Sequence, residues 1–127
     1  MQVVVASRQA TTRRAISLLI RTRLGLEVVG EAGDVGALMG LVNANQPDLV
    51  LLDENLPSAQ LSELVSKLRK HDVHPAVIVL NGRQETEEVA LDAGADAFVY
   101  KGEHPKQLLI AIESIQIARE EKNTYDN

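Results

Sequence analysis

Apolar and polar positions along the chain fall into two alternating rhythms. Five short β-rich runs read "QVVVA" (2–6), "LEVVGE" (26–31), "DLVLLD" (48–53), "AVIVLN" (76–81) and "AFVYK" (97–101). Three of them carry continuous apolar cores, "VVVA", "LVLL" and "VIVL". A strand covered on both faces has no reason to alternate, so these predict the centre of a parallel sheet. "LEVVGE" is more mixed, as an edge strand tends to be.

Between the strands the apolar spacing changes to three and four. Ile16, Leu19, Ile20 and Leu24 form one stripe, and Val35, Leu38, Leu41 and Val42 a second behind a capping Asp34. Leu61, Leu64, Val65 and Leu68 form a third, with Ser58 as the expected cap. "TEEVALDAG" predicts a short helix closed by Gly94. The last helix follows "GEHP" with Pro105 near its first turn. It carries Leu108, Leu109, Ile112 and Ile115 inward and is expected to end at about Glu121, leaving residues 122–127 as a disordered tail. Strict β–α alternation predicts a doubly wound α/β fold, with one domain over residues 1–121. Ligands in such folds bind beyond the carboxyl ends of the strands. Here those ends are Ser7-Arg8, Asp53-Glu54, Asn81-Gly82 and Lys101-Gly102.

Composition narrows the chemistry. The chain has 127 residues, enough to bury roughly two-thirds of its unfolded surface. Aromatics are limited to Phe98, Tyr100 and Tyr125, so the core must be aliphatic. The absence of cysteine excludes disulfides and thiolate chemistry. No apolar run approaches the ~20 residues that span a bilayer, and the N-terminus lacks a signal peptide's apolar segment. A protein of the cytoplasm, without membrane contact, is the expectation. Net charge is −5, which argues against a nucleic-acid surface. The charge is uneven, because Arg8, Arg13, Arg14, Arg21 and Arg23 all precede the first acid, Glu27. His71, His74 and His104 lack metal-ligand spacing and are given no role.

Two strand ends carry candidate chemistry. In "PDLVLLDENLPS" a buried strand ends in Asp53, aimed into the crevice as a metal ligand, a nucleophile or a simple cap. In "GADAFVYKGEHP" Lys101 ends the fifth strand within reach of the same crevice. An opposite charge there keeps a carboxylate ionised, and a lysine can grip a phosphoryl oxygen as a point charge.

"DLVLLDENLPS" together with "AGADAFVYKGEHPKQLLIAI" resembles the receiver domain of two-component response regulators, the CheY-like superfamily. "LEVVGEAGDVGALMGLVNANQPDLVLLD" is similar to the receivers that precede a LuxR-type DNA-binding segment. The resemblance implies a flavodoxin-like, five-stranded parallel sheet of order 2-1-3-4-5 with five helices. It implies that Asp53 corresponds to the aspartate that accepts a phosphoryl group from a histidine kinase. Asn55 would supply a backbone carbonyl to Mg²⁺, Pro57 the turn after the phosphoacceptor, Lys101 the phosphoryl contact and Phe98 the switch aromatic. The family's switch Thr/Ser falls on Asn81, and the stretch from Asn81 to Gly94 is about two residues shorter than is common. The partners implied are a histidine kinase or another signalling protein, with a homodimer face near Phe98, Tyr100 and the last helix.

One departure matters most. The family's two adjacent acids at the end of the first strand fall on Ser7 and Arg8. Mg²⁺ wants several oxygen ligands, and one carboxylate beside a guanidinium is a poor site. The expectation is an Arg8–Asp53 ion pair in the place of metal and phosphate, with no cofactor or Mg²⁺ bound only weakly. The favoured reading is a degenerate receiver, not an enzyme, acting through protein contacts. The alternative is a working phosphoacceptor, the N-terminal part of a DNA-binding transcription regulator. A small flavodoxin-like enzyme or nucleotide-binding domain is the third reading, and the chain lacks the glycine-rich phosphate loop that it would need.

Overall fold

The computed structural model describes all residues except 54, 55, 57–59, 71–73, 103, 126 and 127, together with the side chains of residues other than 123–125 among those in helices and strands. Five strands alternate with five helices: β1 (Gln2–Ala6), α1 (Ala10–Leu24), β2 (Glu27–Ala32), α2 (Val35–Asn45), β3 (Leu49–Asp53), α3 (Leu61–Arg69), β4 (Ala76–Asn81), α4 (Thr86–Ala93), β5 (Ala97–Tyr100) and α5 (Lys106–Tyr125). The sheet order is β2-β1-β3-β4-β5, and every pairing is parallel. This is the doubly wound fold that the alternation predicted, in the flavodoxin-like order that the resemblance implied.

The continuous apolar runs have a simple cause. Side chains alternate across a strand, so a strand covered on both faces needs apolar residues at every position. Val4, Ala6, Val50, Leu52, Val77 and Val79 face one core, closed by Leu38 and Val42 of α2, Leu64, Val65 and Leu68 of α3 and Ala90 of α4. Val3, Val5, Leu49, Leu51, Ile78, Leu80 and Val99 face the other, closed by Ile20 of α1 and Leu108 and Ile112 of α5. β2 lies at the sheet edge, which explains its mixed pattern.

Local signals set three of the helix ends. The Asp34 carboxylate accepts from the Ala37 N–H at 2.8 Å and caps α2. Gly94 ends α4 with a left-handed φ of 114°, and its N–H donates to the Ala90 and Leu91 carbonyls. Gly25 ends α1 in the same way at φ 63°.

Three boundaries differ from the sequence reading. β2 lies one residue later than expected. α3 has Gln60 at its N-cap with no side-chain capping bond, and the expected cap, Ser58, lies outside the described residues. α5 runs to Tyr125, four residues past the expected end at Glu121. Arg119, Glu120, Glu121 and Lys122 are good helix formers, so propensity carries the helix on without an apolar stripe.

Candidate functional site

The parallel register gathers the strand ends. Val3 to Ala6 pair with Leu49 to Leu52, Asp53 pairs with Leu80, and Asn81 pairs with Tyr100. The residues at the C-terminal ends of β1, β3, β4 and β5 therefore converge at one edge. β1 effectively extends by one residue, because the Ser7 N–H donates to the Ala32 carbonyl at 2.9 Å. That keeps Ser7 in line with the strand, fully buried and beside the end of β3.

Asp53 is the centre of the cluster. It is a buried carboxylate, 4% exposed. The Ser7 hydroxyl donates to its Oδ2 at 2.5 Å. The Lys101 ammonium forms an ion pair with its Oδ1. A buried carboxylate is costly unless its oxygens are bonded and its charge balanced, and here one neighbour contributes to each. The Ser7 oxygen also accepts from the Gln9 N–H at 3.3 Å, which ties the start of α1 to the cluster.

Lys101 is held at its root. Its backbone N–H donates to the Asn81 carbonyl at 2.9 Å, continuing the β4–β5 ladder by one step. The buried Asn81 uses its side-chain oxygen locally, accepting from the Arg83 N–H at 2.8 Å. That bond caps the turn after β4. Tyr100 lies across Gly102, where an added Cβ would come within 2.5 Å of the ring, so a side chain there would displace the aromatic.

A second cation supports the first loop. The Arg13 guanidinium donates through Nη1 to the Ser7 carbonyl at 2.8 Å and to the Arg8 carbonyl at 3.3 Å. Its Nε stands 3.7 Å from Glu31 near the end of β2. Gly33 leaves room for it, since a Cβ there would sit 3.0 Å from Nη1. Arg13 thus clamps the β1–α1 turn from outside while Ser7 and Lys101 hold Asp53 from inside.

A family model described as the response regulator receiver domain matches residues 3–113. The chain belongs to this family. The receiver is 32% identical over 115 residues to the nitrate/nitrite response regulator protein NarP of Escherichia coli, covering 89% of this chain and 54% of that protein. It is 33% identical over 102 residues to NarL of the same organism, covering 79% of this chain and 47% of that protein. It thus spans about half the length of the curated relatives it matches. Among solved structures it is similar to a LuxR-family two-component response regulator from Aurantimonas, with a TM-score of 0.85 and 28% identity over 92% of this chain and 85% of that one. The LuxR-type flavour expected from the sequence agrees with the LuxR-family structure. No helix among the described residues is long and apolar enough to cross a membrane.

The receiver places the sequence-derived positions unevenly. Ser7, Asp53, Asn81 and Lys101 lie together at the strand ends. Asn55, Pro57 and Glu54 lie outside the described residues. Phe98 is half-buried and packs against the core beneath α2, α3 and α4. Arg8 is the correction. It is exposed, and among the described residues the partners of Asp53 include Ser7 and Lys101 but not Arg8. The physical reason is alternation: Ser7, in line with β1, turns toward β3, and the next residue turns away. Arg13, named in the sequence only as one of several early arginines, has the structural role at the loop. Its available signal was position, six residues after Ser7 in the first turns of α1, with Glu31 one residue before the end of the neighbouring strand.

Proposed function

We propose that this receiver transmits signals through protein contacts from a single held conformation, with little or no Mg²⁺-dependent phosphorylation of Asp53. The observation that carries the reading is the Ser7–Asp53–Lys101 arrangement. Mg²⁺ takes near-octahedral oxygen coordination and relies on carboxylates for charge. Among the described residues Asp53 is the carboxylate of this cluster, and no group of three or more His, Cys, Asp or Glu side chains gathers to hold a metal ion. One of its oxygens already faces an ammonium and the other a hydroxyl. Ser7 stands where an acid would be needed. A serine hydroxyl adds no negative charge, and Arg8 brings the wrong sign. This donor set does not fit Mg²⁺.

The module works without an enzymatic reaction of its own. Its partners are a histidine kinase or another signalling protein in the cytoplasm, and the net charge of −5 makes nucleic acid an unfavourable ligand for this surface. The nitrate and nitrite responses named for two relatives belong to those proteins. A second reading has one observation in its favour. The Asp53–Lys101 contact is the pairing that a phosphoacceptor needs, so phosphorylation at Asp53 is the competing outcome.

The test is incubation with acetyl phosphate or beryllofluoride, with and without Mg²⁺, read by intact mass and amide NMR. The expected result is no stoichiometric adduct and no Mg²⁺-dependent shift around Asp53. A stoichiometric Mg²⁺-dependent modification of Asp53 overturns the proposal in favour of the working phosphoacceptor.

A further inference from the structure

Two helices on opposite faces of the sheet present surfaces of opposite charge and matching spacing. On α1, Arg14, Leu18 and Arg21 are exposed, with Leu18 61% exposed between the two arginines. On α4, Glu85 at the N-cap, Val89 and Asp92 are exposed, with Val89 50% exposed between the two acids. Both triplets follow the same spacing of four residues then three, which puts each on one face of its helix. The outer charges stand about 10 Å apart in each case. Glu88 adds a third acid beside Val89.

Folding explains little of this. Within the described residues, Arg14, Glu85, Glu88 and Asp92 take no part in the ion pairs or side-chain hydrogen bonds of the domain. Arg21 makes one long bond, 3.4 Å to the Val28 carbonyl, and remains exposed. Asp92 lies in the last turn of α4, where a negative charge opposes the helix dipole. Leu18 and Val89 belong to neither core of the domain. An exposed apolar side chain flanked by charges on one helix, and its charge-reversed counterpart on another, form a complementary pair.

We infer that α1 of one copy docks on α4 of another, Leu18 against Val89, with Arg14 and Arg21 facing the acids of α4. The inner side of α1 packs on the core formed with α5, and that of α4 packs on the opposite core. The two surfaces therefore point to opposite sides of the sheet. A two-fold dimer cannot satisfy both at once, so the contact is head-to-tail and grows beyond two copies. Two α1 faces repel one another, as do two α4 faces. The patch is small, so the association is weak and salt-sensitive.

Sedimentation velocity across about 0.01 to 1 mM protein, at low and high salt, tests this directly. The expected result is an average mass that rises with concentration past the dimer and falls on adding salt. Arg14→Glu with Arg21→Glu weakens association at least about tenfold, as does Glu85→Lys with Asp92→Lys. An equimolar mixture of the two variants restores it, because each then presents to the other the opposite charges. Leu18→Ser, which leaves every charge in place, weakens it as well, and far-UV circular dichroism checks that each variant is folded. The inference is overturned if the protein stays monomeric at the highest concentration, or if growth stops at a dimer. It is overturned too if the charge reversals leave association unchanged, as an interface through Ile110 and Ile117 of α5 would, or if mixing restores nothing.

Discussion

At the scale of single residues, the pocket is a problem in neutralising one buried carboxylate. Asp53 has a side chain only 3% exposed, while the Lys101 side chain that faces it is 32% exposed. Removing the cation leaves a charge that water cannot reach. Lys101→Met is therefore expected to cost about 1–3 kcal/mol, and adding Asp53→Asn is expected to recover part of that loss, because the second change removes the stranded charge. Urea denaturation of both single variants and the double variant checks the sign. A double variant less stable than Lys101→Met alone would mean that the carboxylate does not depend on Lys101. Ser7→Ala removes the hydroxyl that donates to Asp53 and is expected to cost about 1–2 kcal/mol, with the slope of the denaturation curve unchanged. This level was only half legible in the sequence. Spacing from Asp53 marked positions 7 and 8 as the place to look, and the strand ends marked Lys101. Which of the two neighbours would face the carboxylate depended on how far β1 continues. One backbone bond, from Ser7 to Ala32, decides that. A charge rule favoured Arg8, and strand geometry favoured Ser7.

At the scale of elements, the strands and helices were legible because their causes are local. Continuous apolar runs mark β1, β3 and β4, and Asp34 and Gly94 mark helix ends by their own chemistry. These two termini carry a ranking that can be measured. Asp34→Ala loses the bond to the Ala37 N–H and is expected to cost about 1 kcal/mol. Gly94→Ala is expected to cost more, about 1–2 kcal/mol or above, for two independent reasons. Its φ of 114° is unfavourable for any side chain, and an added Cβ would stand 3.1 Å from Arg69 Cγ. That arginine also pairs with Asp96 at 3.3 Å, and Asp96 accepts from the Val77 N–H at 2.8 Å, so a shift there reaches the start of β4. Thermal melts that rank Asp34→Ala below Gly94→Ala in stability would contradict the assignment of strain to the left-handed cap. Where neither a capping side chain nor an apolar stripe marks an end, the pattern was silent. Gln60 caps α3 without a side-chain bond, and α5 continues on propensity after its apolar stripe ends, so neither boundary has a signal in the pattern.

For the whole molecule, the decisive quantity is what a divalent cation does to the folded state. A ligand that binds only the native protein stabilises it by about 2.7 kcal/mol when present at a hundred times its Kd. In a domain of this size that is a rise in Tm of roughly 8–15 °C. A pocket with a complete set of acids would register Mg²⁺ in this way. Here the cation would have to displace an ammonium from Asp53 and would gain a serine in place of a carboxylate, so the expected shift at about 10 mM Mg²⁺ is below about 1 °C. The comparison that isolates the pocket is the pair Ser7→Asp with Arg8→Asp, measured in the same buffer. An acid at position 7 beside Asp53, with a second at the adjoining position 8, raises the repulsion in the apo protein, so this variant is expected to melt below the parent without Mg²⁺ and to regain stability as Mg²⁺ is added. A Mg²⁺-dependent rise in the variant with none in the parent assigns the difference to residues 7 and 8. Equal rises in both would place the metal response elsewhere on this acidic molecule, and a parent that responds strongly by itself would mean that Asp53 binds Mg²⁺ without the missing acids.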